Sequence, residues 1–295
     1  MTKDLDKVFA WPPPERGLGL SIHIPSSLIS VEHGIAKRTM VLGLVARAAA
    51  IFRVRKIRVY RDPGSSARDL IFMRKILEYM ASPPYLRKKL FKIDRDLRAV
   101  GLLPPLATAS HVTEEDLVRE HIRPALALSV DNRNICLEAG LARIVCLDAN
   151  KAKWVRKGDL VYVVVTPNGS VSRLATQGEV ESIYWGYSVE IYDSLKDSVK
   201  ASDEDLYIVS TKEGSHGEDL AARIEGVRKG ISVIFGSPDK DPDEIAEEEG
   251  WNIDMLNHYK LNSAPLQGVR SIRTYEALYI TLAILNSVIF KVKRF

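Results

Sequence analysis

Three short segments near the C-terminus hold the residue types that could bind and orient a small polar ligand. The first, Ile231-Ser232-Val233-Ile234-Phe235-Gly236-Ser237-Pro238, is an apolar run that ends in a glycine turn. Glycine at a strand's end lets a flat ligand lie close to the backbone. The second, Leu261-Asn262-Ser263-Ala264-Pro265, is a polar turn after another short strand. The third, Gln267-Gly268-Val269-Arg270-Ser271-Ile272-Arg273-Thr274-Tyr275-Glu276-Ala277, is a loop that enters a helix. Exposed N–H groups at a helix start favour an anionic or polar group. Arg270 and Glu276 lie in this segment, and Arg47 lies on a small-residue helix far upstream. An arginine beside a reacting atom can stabilise developing negative charge. Taken singly, Gly236, Gly268 and Asn262 read as turn residues. Arg47 reads as an arginine whose stem covers apolar surface, and Arg273 with Glu276 as an i, i+3 ion pair. Their joint order and spacing point to a site.

Other chemistries find less support. The six histidines show no HxxxH or HxxH spacing, so no metal centre is expected. Ser26-Ser27 and Ser65-Ser66 lack a nucleophile-elbow context. Gly17-Leu18-Gly19 precedes a strand instead of following one, which argues against a dinucleotide fingerprint. The two cysteines, Cys136 and Cys146, read as small buried hydrophobes in a reducing compartment, and a cytoplasmic location is expected. The polar, proline-containing start does not have the layout of a secretory signal. The apolar run Ala277–Phe290 falls short of a membrane span and reads as a buried helix, so no membrane partner is expected.

The elements that must position these residues fall into three parts. Residues 1–105 alternate strand and helix: strand Leu18–Ile24, helix Gly34–Ile51, strand Lys56–Tyr60 and helix Ala67–Met80. Residues 106–178 carry short apolar runs at Ala125–Val130, Ile135–Leu137, Ala142–Leu147, Leu160–Thr166 and Ser170–Ala175. Turns such as Pro167-Asn168-Gly169 separate them, the pattern of a small antiparallel barrel, OB-like, or of an unrelated β-sandwich module. Residues 179–295 return to strand–helix alternation. Strands are expected at Trp185–Tyr192, Leu206–Ser210, Ile231–Phe235 and Met255–Leu261, and helices at Gly217–Ile224, Pro242–Glu249 and Ser271–Phe290. The fold class is therefore α/β, a parallel sheet with helices on both faces, carrying an inserted β module.

The formal net charge is only +4, but the basic residues cluster. Arg53, Arg55, Lys56, Arg58 and Arg61 form one run, and Arg87, Lys88, Lys89 and Lys92 begin another. The acids gather at Asp239–Glu249. Such asymmetry suits a nucleic acid held on one face, with Arg53, Arg55, Arg87, Lys88, Lys89 and Lys92 as candidate RNA contacts. A pair of solvated faces is the alternative.

On the three C-terminal segments together, the chain resembles the SPOUT methyltransferases, whose cofactor is wrapped by a deep trefoil knot. The stretch Val41–Phe52, with Arg47, looks like the first motif of that class. The β insertion is similar to the archaeal and eukaryotic branch whose human members are described as centromere-associated. The resemblance implies a knotted parallel sheet, S-adenosyl-L-methionine as cofactor, RNA (rRNA foremost) as substrate, and a homodimer in which one subunit's N-terminal residues complete the other's site. It places the cofactor at Thr211, Gly236, Ser237, Leu261, Asn262, Ser263, Gln267, Gly268, Val269, Ser271, Ile272 and Arg273. It leaves Arg47, Arg270 and Glu276 as candidates for catalysis. One departure matters: ribose-methylating members begin the first motif with Asn, and Val41 stands here. A valine cannot orient a ribose hydroxyl, so a base nitrogen is expected as acceptor, with uridine N3 the best analogy. A non-catalytic RNA-binding scaffold, a tRNA methyltransferase and a ribose 2′-O methyltransferase remain alternatives.

Overall fold

The computed structural model describes residues 9–111 and 118–293. In chain order the elements are β1 (Gly19–Pro25), α1 (Ile35–Ile51), β2 (Lys56–Tyr60), α2 (Ala67–Ala81) and α3 (Arg87–Leu90). Then follow β3 (His121–Val130), β4 (Asn134–Glu138), β5 (Val145–Asp148), β6 (Leu160–Val165), β7 (Val171–Leu174) and α4 (Gln177–Glu181). The last third comprises β8 (Ser188–Tyr192), α5 (Leu195–Lys200), β9 (Leu206–Ser215), α6 (Leu220–Glu225), β10 (Gly230–Phe235), α7 (Pro242–Glu248), β11 (His258–Leu261) and α8 (Thr274–Lys293). The chain divides into two compact units. One takes in Arg16–Met80, Arg95–Pro105 and Gly186–Phe295. The other takes in Met1–Glu15, Ala81–Asp94 and Leu106–Trp185.

The first unit is a six-stranded sheet in the order β11-β9-β10-β1-β2-β8, and every pairing is parallel. Its central strands β1 and β10 are buried along their whole length, as a parallel sheet covered on both faces requires. Tyr60, Leu195, Val199, Val209, Ile234 and Ile245 form one core under α5 and α7. Strand alternation sends Val233 and Phe235 to the opposite face, where α8 packs against β10, α1 and α6. Ala46, Ala48 and Ala49 are buried on α1, which lets its neighbours approach closely.

The second unit is an all-antiparallel sheet in the order β5-β4-β3-β6-β7. Alternate residues of β3, β4 and β6 (Ala125, Ala127, Ile135, Leu137, Val161, Val163 and Val165) form its core. Ile135, Leu147, Ser172 and Leu174 line one cavity, so the edge strands β5 and β7 curl toward each other and the sheet is nearly a barrel. Residues 81–94 fold with this unit. The Tyr85 hydroxyl donates to the Pro124 carbonyl at 2.8 Å, and the Arg123 guanidinium lies 4.5 Å from the centre of the Tyr85 ring. Gly140, at φ 65°, is needed in the turn against Tyr85, because a Cβ there would stand 2.4 Å from the ring.

Three expectations are corrected. The cysteines are not buried hydrophobes: Cys136 and Cys146 are cross-strand partners on β4 and β5, joined in a disulfide, and Cys146 is exposed. Helix α8 is not buried all round, since six of its twenty residues are buried. Its composition is apolar enough to cross a membrane, yet Leu278, Leu282, Leu285 and Ile289 pack inside the α/β unit. The first basic run is not a free cationic face. Arg58 is fully buried and paired with Glu204 and Glu190, Lys56 pairs with Glu190, Arg61 with Asp193, and Arg55 donates to the Arg16 carbonyl. Parallel strands buried on both faces leave a mid-strand arginine no route to solvent, so it must be neutralised internally.

Candidate active site

The carboxyl ends of β9, β10 and β11 converge on one polar pocket in the α/β unit, where ligands bind in open parallel sheets. Strand β9 builds one wall. It pairs with β11 up to Val209, leaves register for Ser210–Gly214, and returns to pair Ser215 with Leu261. The detour places Ser210, Thr211 and Lys212 on the pocket. Gly214 permits the crossing, because a Cβ there would lie 2.6 Å from the Leu261 nitrogen. The Asn262 amide donates to the Ser215 carbonyl at 2.8 Å, and its side-chain Nδ2 donates to the Lys212 carbonyl at 2.7 Å. The loops after β9 and β11 are thereby locked together.

The glycine turn after β10 forms the second wall. The Gly236 site has no room for a side chain, since a Cβ would stand 2.4 Å from the Lys240 carbonyl oxygen. The Thr274 hydroxyl donates to the Gly236 carbonyl at 3.3 Å, and the buried Tyr60 hydroxyl donates to the Phe235 carbonyl at 2.6 Å. Asp241 caps α7 in a reciprocal box with Glu244. Its carboxylate accepts from the Thr211 hydroxyl at 2.9 Å. Burial raises the Asp241 pKa above the usual aspartate value, against the opposing pull of Thr211 and Lys212.

The third wall is the loop before α8. Gln267 Nε2 donates to the Val269 and Arg270 carbonyls at 3.0 and 3.3 Å, which shapes the turn. Gln267, Arg270, Ser271 and Ile272 line the pocket together with Asn262, Ser263, Thr211, Gly236 and Ser237. The remaining expected residues lie off it. Leu261 is buried in the core, and Val269 and Gly268 are exposed, with open space where a Gly268 Cβ would go. Arg273 and Glu276 do not pair side chain to side chain. The Arg273 guanidinium pairs with Glu32 at 2.7 Å, and the Glu276 carboxylate accepts from the Arg273 backbone N–H at 2.9 Å as a helix cap.

Arg47 also lies off the pocket. It donates to the Pro105 carbonyl at 3.1 Å and is close enough to Tyr279 to lower that hydroxyl's pKa against the larger raising effect of burial. Val41 is buried on α1 and does not line the pocket. Sequence reasoning missed Lys212, Asp239, Asp241 and Thr274, which line the same pocket. The helix-capping signature Asp241-Pro242-Asp243-Glu244 was the available signal for Asp241. Among the described residues no group of histidine, cysteine or acidic side chains could hold a metal ion.

The pocket offers apolar Phe235, Ile272 and Ala277 beside hydroxyls, carboxylates and the cations Lys212 and Arg270. This mixture gives an α/β protein one pocket that carries charged, hydroxyl and apolar side chains together. Over residues 19–285 the chain matches the model of a putative RNA methyltransferase family, and it belongs to that family. It is 28% identical to the 28S rRNA (uridine-N(3))-methyltransferase of Drosophila melanogaster, with 90% of this chain aligned to 61% of the fly protein. It is 28% identical to the Homo sapiens protein of the same description, over 90% of this chain and 77% of the human one. An uncharacterized protein of Haloarcula marismortui is 30% identical over 90% of this chain and 98% of its own length. The chain thus spans about three-fifths of the fly relative.

Proposed function

We propose that this protein is a SPOUT-class methyltransferase that uses S-adenosyl-L-methionine to methylate N3 of a uridine in ribosomal RNA. The observation that carries the reading is the meeting of three loops, after β9, β10 and β11, on one pocket in a chain of an RNA methyltransferase family. The relatives described as uridine-N3 methyltransferases supply the acceptor. The chain at Leu261–Asn262 passes against the detour of β9 at Gly214–Ser215, which supports a knotted path. The order β5-β4-β3-β6-β7, with β5 and β7 curling together, supports an OB-like module.

The residues present fit the cofactor. Carboxylates at Asp239 and Asp241 suit a ribose diol or an ammonium group, Lys212 and Arg270 suit a carboxylate, and Phe235 and Ile272 suit a flat ring. When bound, the cofactor supplies an electrophilic methyl group. The protein must then hold N3 in line with that methyl and assist loss of the N3 proton. Arg270, exposed on the pocket rim, is placed to stabilise negative charge on a uracil oxygen as that proton leaves.

A homodimer accounts for the two features that stand outside the pocket. Met40, Leu44 and Ile51 are exposed on α1, and Arg47 shares their face by its i, i+3 and i, i+4 spacing. The unburied side of α8, with Phe290 exposed, adds a further apolar face. A second copy docked on α1 and α8 would cover these residues and carry Arg47 toward the partner's pocket. Lys88, Lys89 and Lys92, exposed on the other unit, are the better candidates for RNA phosphate contacts.

The direct test is nucleoside mass spectrometry of rRNA treated with the purified protein and S-adenosyl-L-methionine. A methyl that fragments with the base is expected, and one that stays with the sugar would sink the reading. Neutralising Lys88 and Lys89 should flatten the salt dependence of RNA binding by about one unit of slope per lost phosphate contact. An unchanged slope would return these lysines to the solvated surface.

A further inference from the structure

The β unit holds a second cavity, of about 290 Å³, that the methyl-transfer pocket does not use. Its lining includes two indoles, Trp11 and Trp185, over the buried Val164. Trp185 is fixed in place. Its indole N–H donates to the Val180 carbonyl at 2.9 Å, and its ring packs on Tyr162 with centroids 4.5 Å apart. An indole anchored by its N–H and packed at 48° to a neighbouring ring can serve as a stacking platform for a flat ring. The volume sits just below the roughly 300–1,000 Å³ of small-molecule sites, which suits one base or nucleoside and not a full dinucleotide.

The polar groups on the lining are biased toward acceptors. His121 Nδ1 lies 3.0 Å from the Arg119 carbonyl oxygen. A carbonyl only accepts, so the ring proton resides on Nδ1 and Nε2 is left as an acceptor. That Nε2 is buried and has no hydrogen-bond partner among the described residues. A buried acceptor without a partner is costly, and a ligand donor would satisfy it. Glu120 contributes an acceptor-only carboxylate. Glu179 does not add to it, since Arg173 binds both its oxygens at 2.6 and 2.7 Å. Arg119 is the exposed cation of the lining.

We propose that this cavity takes one unpaired nucleobase of the RNA substrate, stacked on Trp185, and that the base carries an amino group. Adenine, cytosine and guanine each present N–H donors to His121 Nε2 and Glu120. Uracil presents a single N–H flanked by two oxygens, which would face the carboxylate. Arg119 pairs with the flanking phosphate, and the basic segment Arg87–Lys92 belongs to the same unit. The target uridine and this base would therefore occupy different pockets, and a base other than the uridine would be read here. The inference rests on RNA being the substrate.

The test is calorimetric titration of the full chain with adenosine, cytidine, guanosine and uridine 5′-monophosphates, with S-adenosyl-L-methionine titrated into the same samples. The three amino-bearing nucleotides should bind saturably, and uridine monophosphate about tenfold more weakly, as expected for the loss of one or two hydrogen bonds. His121→Phe keeps the ring and removes the acceptor, so it should bring the amino-bearing nucleotides down to the uridine level. Trp185→Ala should abolish binding. If Trp185→Ala misfolds by circular dichroism, Glu120→Gln serves instead and should lower affinity while cofactor affinity stays unchanged. Equal binding of uridine monophosphate would overturn the proposal. So would affinities unmoved by His121→Phe, or occupation by an aromatic peptide with no nucleotide bound. Methyl transfer to rRNA without mononucleotide binding overturns the pocket and leaves the enzymatic reading standing. Variant-sensitive nucleotide binding without methyl transfer does the reverse.

Discussion

Two carboxylates in the α/β unit are driven in opposite directions by their surroundings. Glu204 lies just before β9, at the amino edge of the sheet. Burial alone would raise its pKa, but hydrogen bonds from Ser202 and Ser21 and the charge of Arg58 overcome that and hold it at about 2. Asp241 lies at the carboxyl edge. Burial raises its pKa too, and there Thr211 and Lys212 do not overcome the effect. The amino edge is thus an internally paired network, in which Nη2 alone of the Arg58 guanidinium nitrogens has no hydrogen-bond partner among the described residues. His23, buried between the Ser198 and Ser232 hydroxyls at 2.5 and 2.6 Å, belongs to it, and burial first and Arg58 second lower its pKa to about 3. A paired network of this kind stabilises the fold, whereas a carboxylate that burial disfavours at the edge of a pocket is a candidate for ligand contact.

The sharpest way to break this contrast is Arg58→Leu. Leaving Glu204 and Glu190 without their buried partner should cost about 3–5 kcal/mol, read as a lower urea midpoint. A loss under about 1 kcal/mol would mean that the Arg58 pairs contribute little to the fold. The pH dependence carries the same sign. The depressed pKa of Glu204 stabilises the fold above its ordinary value near 4.5. That contribution, on the order of 3 kcal/mol, should fade as pH falls from about 4.5 toward 2. The Glu204→Gln variant should show a correspondingly shallower acid transition, and an identical one would exclude Glu204 from the effect.

At the carboxyl edge the effects should fall on binding. Gly236→Ala forces a Cβ against the Lys240 carbonyl oxygen, a backbone atom that cannot swing away. S-adenosyl-L-methionine affinity should drop at least about tenfold, the equivalent of about 1.4 kcal/mol. Gly268→Ala meets open space and should leave stability alone, so any change in cofactor affinity there reports on the ligand itself. The smallest expected change in stability is that of Asp241→Asn. Asparagine caps a helix about as well as aspartate, and neutralising a carboxylate that burial disfavours should leave unfolding free energy within about 0.5 kcal/mol. Cofactor affinity should nevertheless weaken. Unchanged affinity would remove Asp241 from the site and restore it to a capping role.

Much of this architecture was legible in local pattern. The run Ile231–Phe235 is continuous and apolar because β10 is buried on both faces, and a strand of that kind in a parallel sheet needs no alternation. The Asp241-Pro242 start of α7 and the short β runs between Asn-Gly and Gly-Asp turns follow from local backbone preferences. Arg58 was not legible. It sits one residue from Ile57 and Val59 in a strand that also begins with a lysine, and nothing local separates a solvated arginine from a buried one. Its partners Glu190 and Glu204 lie more than 130 residues away.

The chain's local chemistry, by itself, determined the strand–helix alternation, the run of short strands in the middle of the chain and the three loops that line the pocket. Each depends on the period of apolar residues, on capping side chains or on glycine, all read within a few neighbours. Tertiary structure alone decided which of those loop residues face one another. It brought Asn262 onto the Lys212 carbonyl and Thr211 onto Asp241, and it left Gly268 in the open and Arg47 on an exposed face of α1. It also paired Cys136 with Cys146 and left His121 Nε2 without a partner among the described residues. These outcomes rest on strand order and register between distant segments. The free energy that selects a register is summed over the whole buried sheet and is not stored in any one residue.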